Sequence, residues 1–193
     1  MVRAIGQRGQ SSVEFGAAAI VLLLLLFGLI DLGRVFYFDV ALTGAVREGA
    51  RQASWFDPTS SDKGCGLSPN AYLCDSAIKS SVDAILTQSG LPPSTLQNPG
   101  TTCPSPSDGN TAYNPPYQDF AYPTSLNQPL LYICYQNTPG LDLASAPADN
   151  SYKGQDVNVI LVMSFGFVSG FMNGILGNSV HIVSNAHMAV GGY

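Results

Sequence analysis

The chain has few charged residues. Of its 193 residues, 11% are charged and 46% are hydrophobic. The charged fraction is less than half of the roughly 25% that is usual in soluble globular proteins. Residues 52–193 contain no arginine and no glutamate, and three lysines there stand against nine aspartates. Nucleic-acid binding requires a basic surface for the phosphate backbone, so this acidic region argues against a nucleic-acid partner.

Side chains that commonly catalyse reactions or bind metals are also scarce. The two histidines, His181 and His187, are six residues apart, which is about 20 Å along a strand. The sequence has no C-x-x-C, G-x-S-x-G or H-E-x-x-H motif and no Walker glycine loop. These motifs mark structural zinc sites, hydrolases, metalloproteases and nucleotide-binding proteins. We therefore expect a non-enzymatic protein without cofactor or metal, and consider a membrane-anchored hydrolase the weakest alternative.

Residues 15–30 contain no charge and read FGAAAIVLLLLLFGLI. As a helix these 16 residues extend about 24 Å. A membrane-spanning helix usually needs about 17–25 residues, so the segment is slightly shorter than usual. We therefore place the membrane-spanning part at about residues 15–33. Arginines before this segment predict a cytoplasmic N-terminus. No small-x-small cleavage site follows Ile30, which argues against a signal peptide removed at that point.

The helical pattern continues beyond the apolar segment. No proline occurs before Pro58, and apolar residues recur at steps of three and four, as on one face of a helix. We predict one helix from about residue 11 to about residue 54, with an exported domain over residues 55–193. The residues expected on the covered face are Leu32, Val35, Phe36, Leu42, Val46, Ala50 and Ala53.

The exported domain shows mixed α and β patterns. A second helix is predicted over residues 76–89, with Ile78, Val82, Ile85 and Leu86 on one face. Residues 92–147 hold eleven of the thirteen prolines and predict loops, apart from a short strand at 130–136. Alternating apolar residues predict strands at 157–167 and 180–190. The fold class is therefore α+β, a long helix packed on a small antiparallel sheet that has one buried face.

Four cysteines, Cys65, Cys74, Cys103 and Cys134, all lie in the exported region. An even number of cysteines beyond a hydrophobic segment indicates disulfides formed in an oxidising compartment. Four cysteines allow three pairings, and local loop closure favours Cys65–Cys74 with Cys103–Cys134. Four buried free thiols are the alternative. The loop-rich region is thus expected to be a disulfide-bonded insertion.

The residues before the apolar segment, Gly9-Gln-Ser-Ser-Val-Glu14-Phe15, resemble a class III prepilin processing site. The resemblance implies cleavage between Gly9 and Gln10, which would remove residues 1–9 as a leader peptide. It also implies that Glu14 pairs with the free N-terminal amine of a neighbouring subunit, because an unpaired charge at membrane depth is costly. The alternative is that Glu14 lies in the headgroup layer where the helix begins.

Residues 29–38 (LIDLGRVFYF) and 45–54 (AVREGARQAS) extend this resemblance to the TadE-like family of the tight-adherence (Flp) pilus. The family implies a minor pilin or pseudopilin that starts in the bacterial inner membrane and ends in an extracellular pilus. The implied partners are other pilin subunits in a homo- or hetero-oligomer, a prepilin peptidase and the inner-membrane assembly platform. The motif positions considered for subunit or helix contacts are Asp31, Gly33, Arg34, Arg47, Glu48 and Arg51. For the charged residues among them, solvated ion pairs are the alternative, and contacts between subunits and contacts within the chain both remain open.

Two other functions remain open from the sequence. One is the main pilin that builds the whole filament, which the stoichiometry of a purified pilus would reveal. The other is a membrane-anchored binding module that never polymerises and uses residues 92–150 to hold a ligand or another envelope protein. An intact N-terminus in the mature protein would favour the binding module.

Overall fold

A computed structural model describes residues 7–54, 75–97, 103–109, 114–135 and 156–189 of the chain. The first element, α1 (Gln7–Ala53), is a single helix of 47 residues, about 70 Å long at 1.5 Å per residue. The side chains of its N-terminal half are mostly exposed, and we call this part the bare half of α1. In its C-terminal half, the fully buried residues include Leu42, Val46, Ala50 and Ala53. The predicted long helix is confirmed.

The covered face of α1 differs from the predicted face at two positions. Leu32 and Phe36, which the pattern places on that face, are 48% and 62% exposed, and Val35 packs only partly against the core. Asp31 is nevertheless buried and Phe38 packs partly against the core. The covered face therefore continues toward the apolar segment, but it does not include Leu32 and Phe36.

The second helix, α2 (Asp75–Gln88), lies within one residue of its predicted bounds. Ile78, Val82 and Leu86, four residues apart, are fully buried in the core that α2 shares with α1. Gly90, at φ +71°, allows the chain to turn back so that the Leu91 amide donates to the Leu86 carbonyl oxygen at 2.9 Å. Such a left-handed glycine is a common helix C-terminal cap.

Four strands in the described residues form one sheet in the order β1-β2-β3-β4. They are β1 (Thr95–Leu96), β2 (Leu130–Tyr135), β3 (Asp156–Gly166) and β4 (Ser179–Ala189). The three longer strands pair antiparallel, as predicted, but β1 pairs parallel to β2. The sheet is therefore mixed. Two residues are too few to show a period-two pattern, so no signal in the sequence indicates β1.

Strand β3 is buried on both faces. Val159, Leu161 and Phe165 face the core with α1 and α2, while Ile160 and Val162 face a second core formed with the loop-rich segment. The expectation of one buried face is therefore wrong for β3. The unbroken apolar run VILVM at 159–163 is the signal for double burial, because a strand covered on both faces loses its alternation.

The second core is built around Tyr117, Tyr132 and the Cys103–Cys134 disulfide. The Tyr132 hydroxyl donates to the Ala121 carbonyl oxygen at 3.0 Å, and burial raises the pKa of Tyr117. The predicted Cys103–Cys134 pair is thus present, and it fastens the loop-rich insertion to β2. The predicted Cys65–Cys74 pair lies outside the described residues.

The connection between β3 and β4 contains a third helix, α3 (Gly170–Leu176). The sequence predicts only an unusually apolar linker there, because seven residues with two glycines carry no clear helical period. The Met172 sulfur approaches α1 closely, since it would lie 3.8 Å from a Cβ built at Gly28. Helix α3 therefore lies beside the bare half of α1.

Candidate functional site

The bare half of α1 is a long exposed apolar surface. The helix is long and apolar enough to span a membrane, and none of its most apolar 18-residue window is buried by the rest of the chain. In a soluble core helix such a window would be covered, so this segment requires another apolar environment. Its large exposed side chains between residues 20 and 30 are Ile20, Val21, Leu22, Leu23, Leu25, Leu26, Phe27, Leu29 and Ile30.

The Gly9–Phe15 motif, which resembles a prepilin processing site, lies at the start of this bare helix. Gly9, Gln10, Glu14 and Phe15 are all exposed, and Phe15 is 75% exposed. The Gln10 side-chain amide donates to Glu14 Oε1 at 2.9 Å, one helical turn away. A side chain at Gly9 would meet no atom within 4 Å. The motif is therefore accessible from outside the chain, and the Glu14 carboxylate points along the helix toward Gln10.

Asp31, at the end of the apolar segment, is 1% exposed. Its Oδ1 accepts the Val168 amide at 3.1 Å, and its Oδ2 accepts the Ser169 amide at 3.0 Å and the Ser169 hydroxyl. The carboxylate therefore binds the chain just before α3. The sequence left open whether Asp31 is solvated. In the structure it is a buried carboxylate that accepts hydrogen bonds from its own chain.

Arg34 lies next to Asp31, with its Nη1 atom 3.5 Å from Asp31 Oδ1. The guanidinium carbon lies 5.1 Å from the ring centre of Phe165 and 5.6 Å from that of Phe38, which is cation–π distance. Nη1 is buried and has no hydrogen-bond partner among the described residues. Arg34 thus lies between the Asp31 carboxylate and two aromatic rings, Phe165 in the core shared by α1, α2 and β3 and Phe38 packed against that core.

The motif glycines have different surroundings. A Cβ at Gly49 would lie 2.6 Å from Val82 Cγ2 and 3.2 Å from Val159 Cγ1, so glycine lets α1 approach both α2 and β3. By contrast, a Cβ at Gly33 would meet nothing within 4 Å, and Gly33 is exposed. Packing therefore explains Gly49, whereas Gly33 lies on a surface that remains free for other contacts.

The charged residues of the second motif lie on the outer face of α1. Arg47 and Arg51 are exposed, and the Arg51 Nε atom donates to Glu48 Oε2 at 2.9 Å. Hydrogen bonding to Arg51 lowers the pKa of Glu48. These side chains, unlike that of Asp31, are available for contacts with other molecules.

Sequence reasoning missed the residues that complete the Asp31 contact. Val168 and Ser169 lie 137 and 138 residues from Asp31 in the chain, so no local pattern relates them.

The two histidines have separate partners. The His181 ring stacks on the Tyr122 ring with their centres 3.9 Å apart, and His187 hydrogen-bonds Asp156. No group of three or more potential metal ligands occurs within the described part of the chain.

A family model described as TadE-like protein matches residues 9–51. The match covers the Gly9–Phe15 motif, the bare segment and the charged residues of both α1 motifs. No curated protein and no solved structure shows significant similarity to the chain. The resemblance inferred from the motifs is confirmed over this part of α1, and residues 9–51 form a TadE-like segment.

Proposed function

We propose that the chain is a TadE-like minor pilin or pseudopilin, a structural subunit in the assembly of a tight-adherence (Flp) pilus. The observation that carries this proposal is the division of α1. One half is a bare apolar helix that begins with the Gly9–Phe15 motif. The other half packs into the core of a domain that contains a disulfide. A subunit that is first anchored in a bilayer and then packed among other helices needs this arrangement.

Before assembly, α1 would anchor the subunit in the inner membrane, with its N-terminus in the cytoplasm and residues 55–193 outside. A prepilin peptidase would cut between Gly9 and Gln10 and release an amine on Gln10. The Glu14 carboxylate would then pair with the Gln10 amine of a neighbouring subunit, since desolvation makes an unpaired charge costly there. This pairing would set the axial register as the subunit leaves the bilayer through the assembly platform.

Several features of the domain support this role. Its core fastens the second half of α1 to α2 and to the sheet, so force applied to the helix reaches the whole domain. Gly33, Arg47 and the Glu48–Arg51 pair are accessible on α1, and we propose them as contact positions for other subunits. Asp31 and Arg34 would act within the subunit by holding the chain around α3.

The first test is intact-mass analysis and N-terminal sequencing of the protein from its native envelope. We expect the mature chain to start at Gln10. Gly9→Leu should retain residues 1–9, whereas Gly16→Leu should be processed normally. The two substitutions are matched, because a Cβ added at either glycine would have no atom within 4 Å. A mature chain that keeps Met1 or Val2 would contradict the proposal and favour an anchored binding module.

The second test concerns assembly. Glu14→Gln should be processed but should be depleted from purified pili, because the neutral amide cannot pair with the Gln10 amine as a carboxylate does. Quantifying the parent protein in the same pili distinguishes a minor pilin from the main pilin. Normal incorporation of Glu14→Gln would show that Glu14 does not set the register.

A further inference from the structure

We propose that the β3–β4 tip, residues 167–178 with α3 at its centre, lies in the outer leaflet of the same membrane that α1 spans. This inference rests on the membrane anchoring proposed above. It goes further in two ways. A part of the exported domain becomes a second element that contacts lipid, and the same part shields the Asp31 carboxylate from lipid.

The position of the tip along α1 is the first support. Helix α1 and strand β3 run in opposite directions, because Gly28 approaches Met172 whereas Gly49 approaches Val159. Gly28 and Gly49 are about 32 Å apart along the helix. The tip is therefore at the end of the domain that faces the bare segment, while the Val159 end of the sheet points away from it.

The chemistry of the tip is the second support. The chain contains no Asp, Glu, Lys or Arg after Asp156. Within the tip, Val168 is 75% exposed, Ile175 is 62% exposed and Leu176 is 52% exposed. Because Met172 of the same tip lies beside Gly28, these exposed side chains are near the apolar surface of α1, and large exposed apolar patches mark interaction surfaces.

The burial of Asp31 is the third support. The uncharged residues 15–30 extend about 24 Å as a helix, which is less than the roughly 30 Å of hydrocarbon in a bilayer. Because the tip surrounds the Asp31 carboxylate and donates hydrogen bonds to it, that charge does not face lipid. The apolar surface then continues through Leu32 and Gly33, giving about 28 Å for residues 15–33.

A bilayer is a better occupant than a second copy of the chain. The membrane around α1 is present for every single subunit and meets the tip without further assembly, whereas another copy would cover the tip only in a filament. Short apolar elements that lie within the membrane interface are a known way to bind it.

The test uses the full chain in phosphatidylcholine vesicles whose acyl chains are brominated, because bromine quenches tryptophan fluorescence on close contact. The chain has one tryptophan, Trp55, which is first replaced by phenylalanine. Single tryptophans are then placed by Ile175→Trp in the tip, by Leu25→Trp in the bare helix and by Met188→Trp. Met188 lies nine residues from Ser179, about 30 Å along β4 from the tip, and is 39% exposed.

We expect the Leu25→Trp and Ile175→Trp proteins to lose fluorescence in brominated vesicles and the Met188→Trp protein to keep it. Quenching of Leu25→Trp alone would overturn the tip inference and leave anchoring intact. If the Ile175→Trp spectrum were then blue-shifted without being quenched, another copy of the chain would be covering the tip. Quenching at all three positions would also overturn it, because the whole domain would then lie on the membrane. No quenching at Leu25→Trp would refute the anchoring itself.

Discussion

Gly49 has the closest surroundings of the glycines on α1, and it offers a sharp test of the domain packing. A Cβ at this position would lie 2.6 Å from Val82 Cγ2 and 3.2 Å from Val159 Cγ1. Both valines are fully buried, and β-branched side chains have few alternative rotamers. Overpacking of this kind costs about 1–3 kcal/mol, whereas replacing glycine by alanine within a helix gains about 1 kcal/mol. We expect Gly49→Ala to lower the free energy of unfolding by about 1 kcal/mol net.

Gly44 provides the matched control, about one and a half turns earlier on the same helix. A Cβ at Gly44 would lie 3.7 Å from Ile85 Cγ2, an ordinary van der Waals contact. Gly44→Ala should therefore raise the free energy of unfolding by up to about 1 kcal/mol, so the two variants should differ by about 2 kcal/mol.

The assay is equilibrium urea unfolding of the full chain in detergent micelles under oxidising conditions, followed by near-ultraviolet circular dichroism of the tyrosines. A Gly49→Ala midpoint equal to or above that of the parent would refute the packing of α1 against α2 and β3. A lowered midpoint for Gly44→Ala would show that alanine substitution harms α1 for a reason other than crowding.

Three further predictions concern other contacts of the domain. Asp31→Ala removes the acceptor of the tip amides and should lower the unfolding free energy by about 1–3 kcal/mol, with faster hydrogen exchange in the tip. The Cys103→Ser, Cys134→Ser double variant opens a loop whose ends are 31 residues apart and should cost about 3–4 kcal/mol in the urea assay. Hydrogen bonding to Arg51 lowers the pKa of Glu48, so the small stabilisation from this pair should be present at neutral pH and lost as the pH falls below the ordinary glutamate pKa of about 4.3.

Each of these predictions has a control or a contradicting result. Asp39 is exposed on α1, so Asp39→Ala should leave exchange in the tip unchanged, and equal exchange in the two variants would contradict the Asp31 contact. An unchanged midpoint for the double serine variant would show that the disulfide does not stabilise the domain. Arg51→Ala should remove the pH dependence due to Glu48 while leaving the midpoint at neutral pH nearly unchanged, because exposed ion pairs contribute little.

The elements with a repeating local pattern were predictable from the sequence. Helix α2 and strands β3 and β4 lie within one residue of their predicted bounds, because several apolar residues in each repeat at the helical or strand period. The TadE-like motifs were also readable, since they are continuous in the chain and precede or follow an uncharged segment. Strand β1 and helix α3 were not predictable, because elements of two and seven residues are too short to show a period.

The sequence by itself determined that one long helix combines an apolar segment with a face for an α+β domain, and where the Gly9–Phe15 motif lies on that helix. Only the tertiary structure decided the environment of each motif residue. Asp31 is buried because residues 167–178 fold back over it, Gly49 is crowded because α2 and β3 meet α1 there, and Gly33 is left exposed. The physical reason is that periodicity and motifs are local, whereas burial depends on segments that are distant in the chain, such as Val168 for Asp31 and Val159 for Gly49.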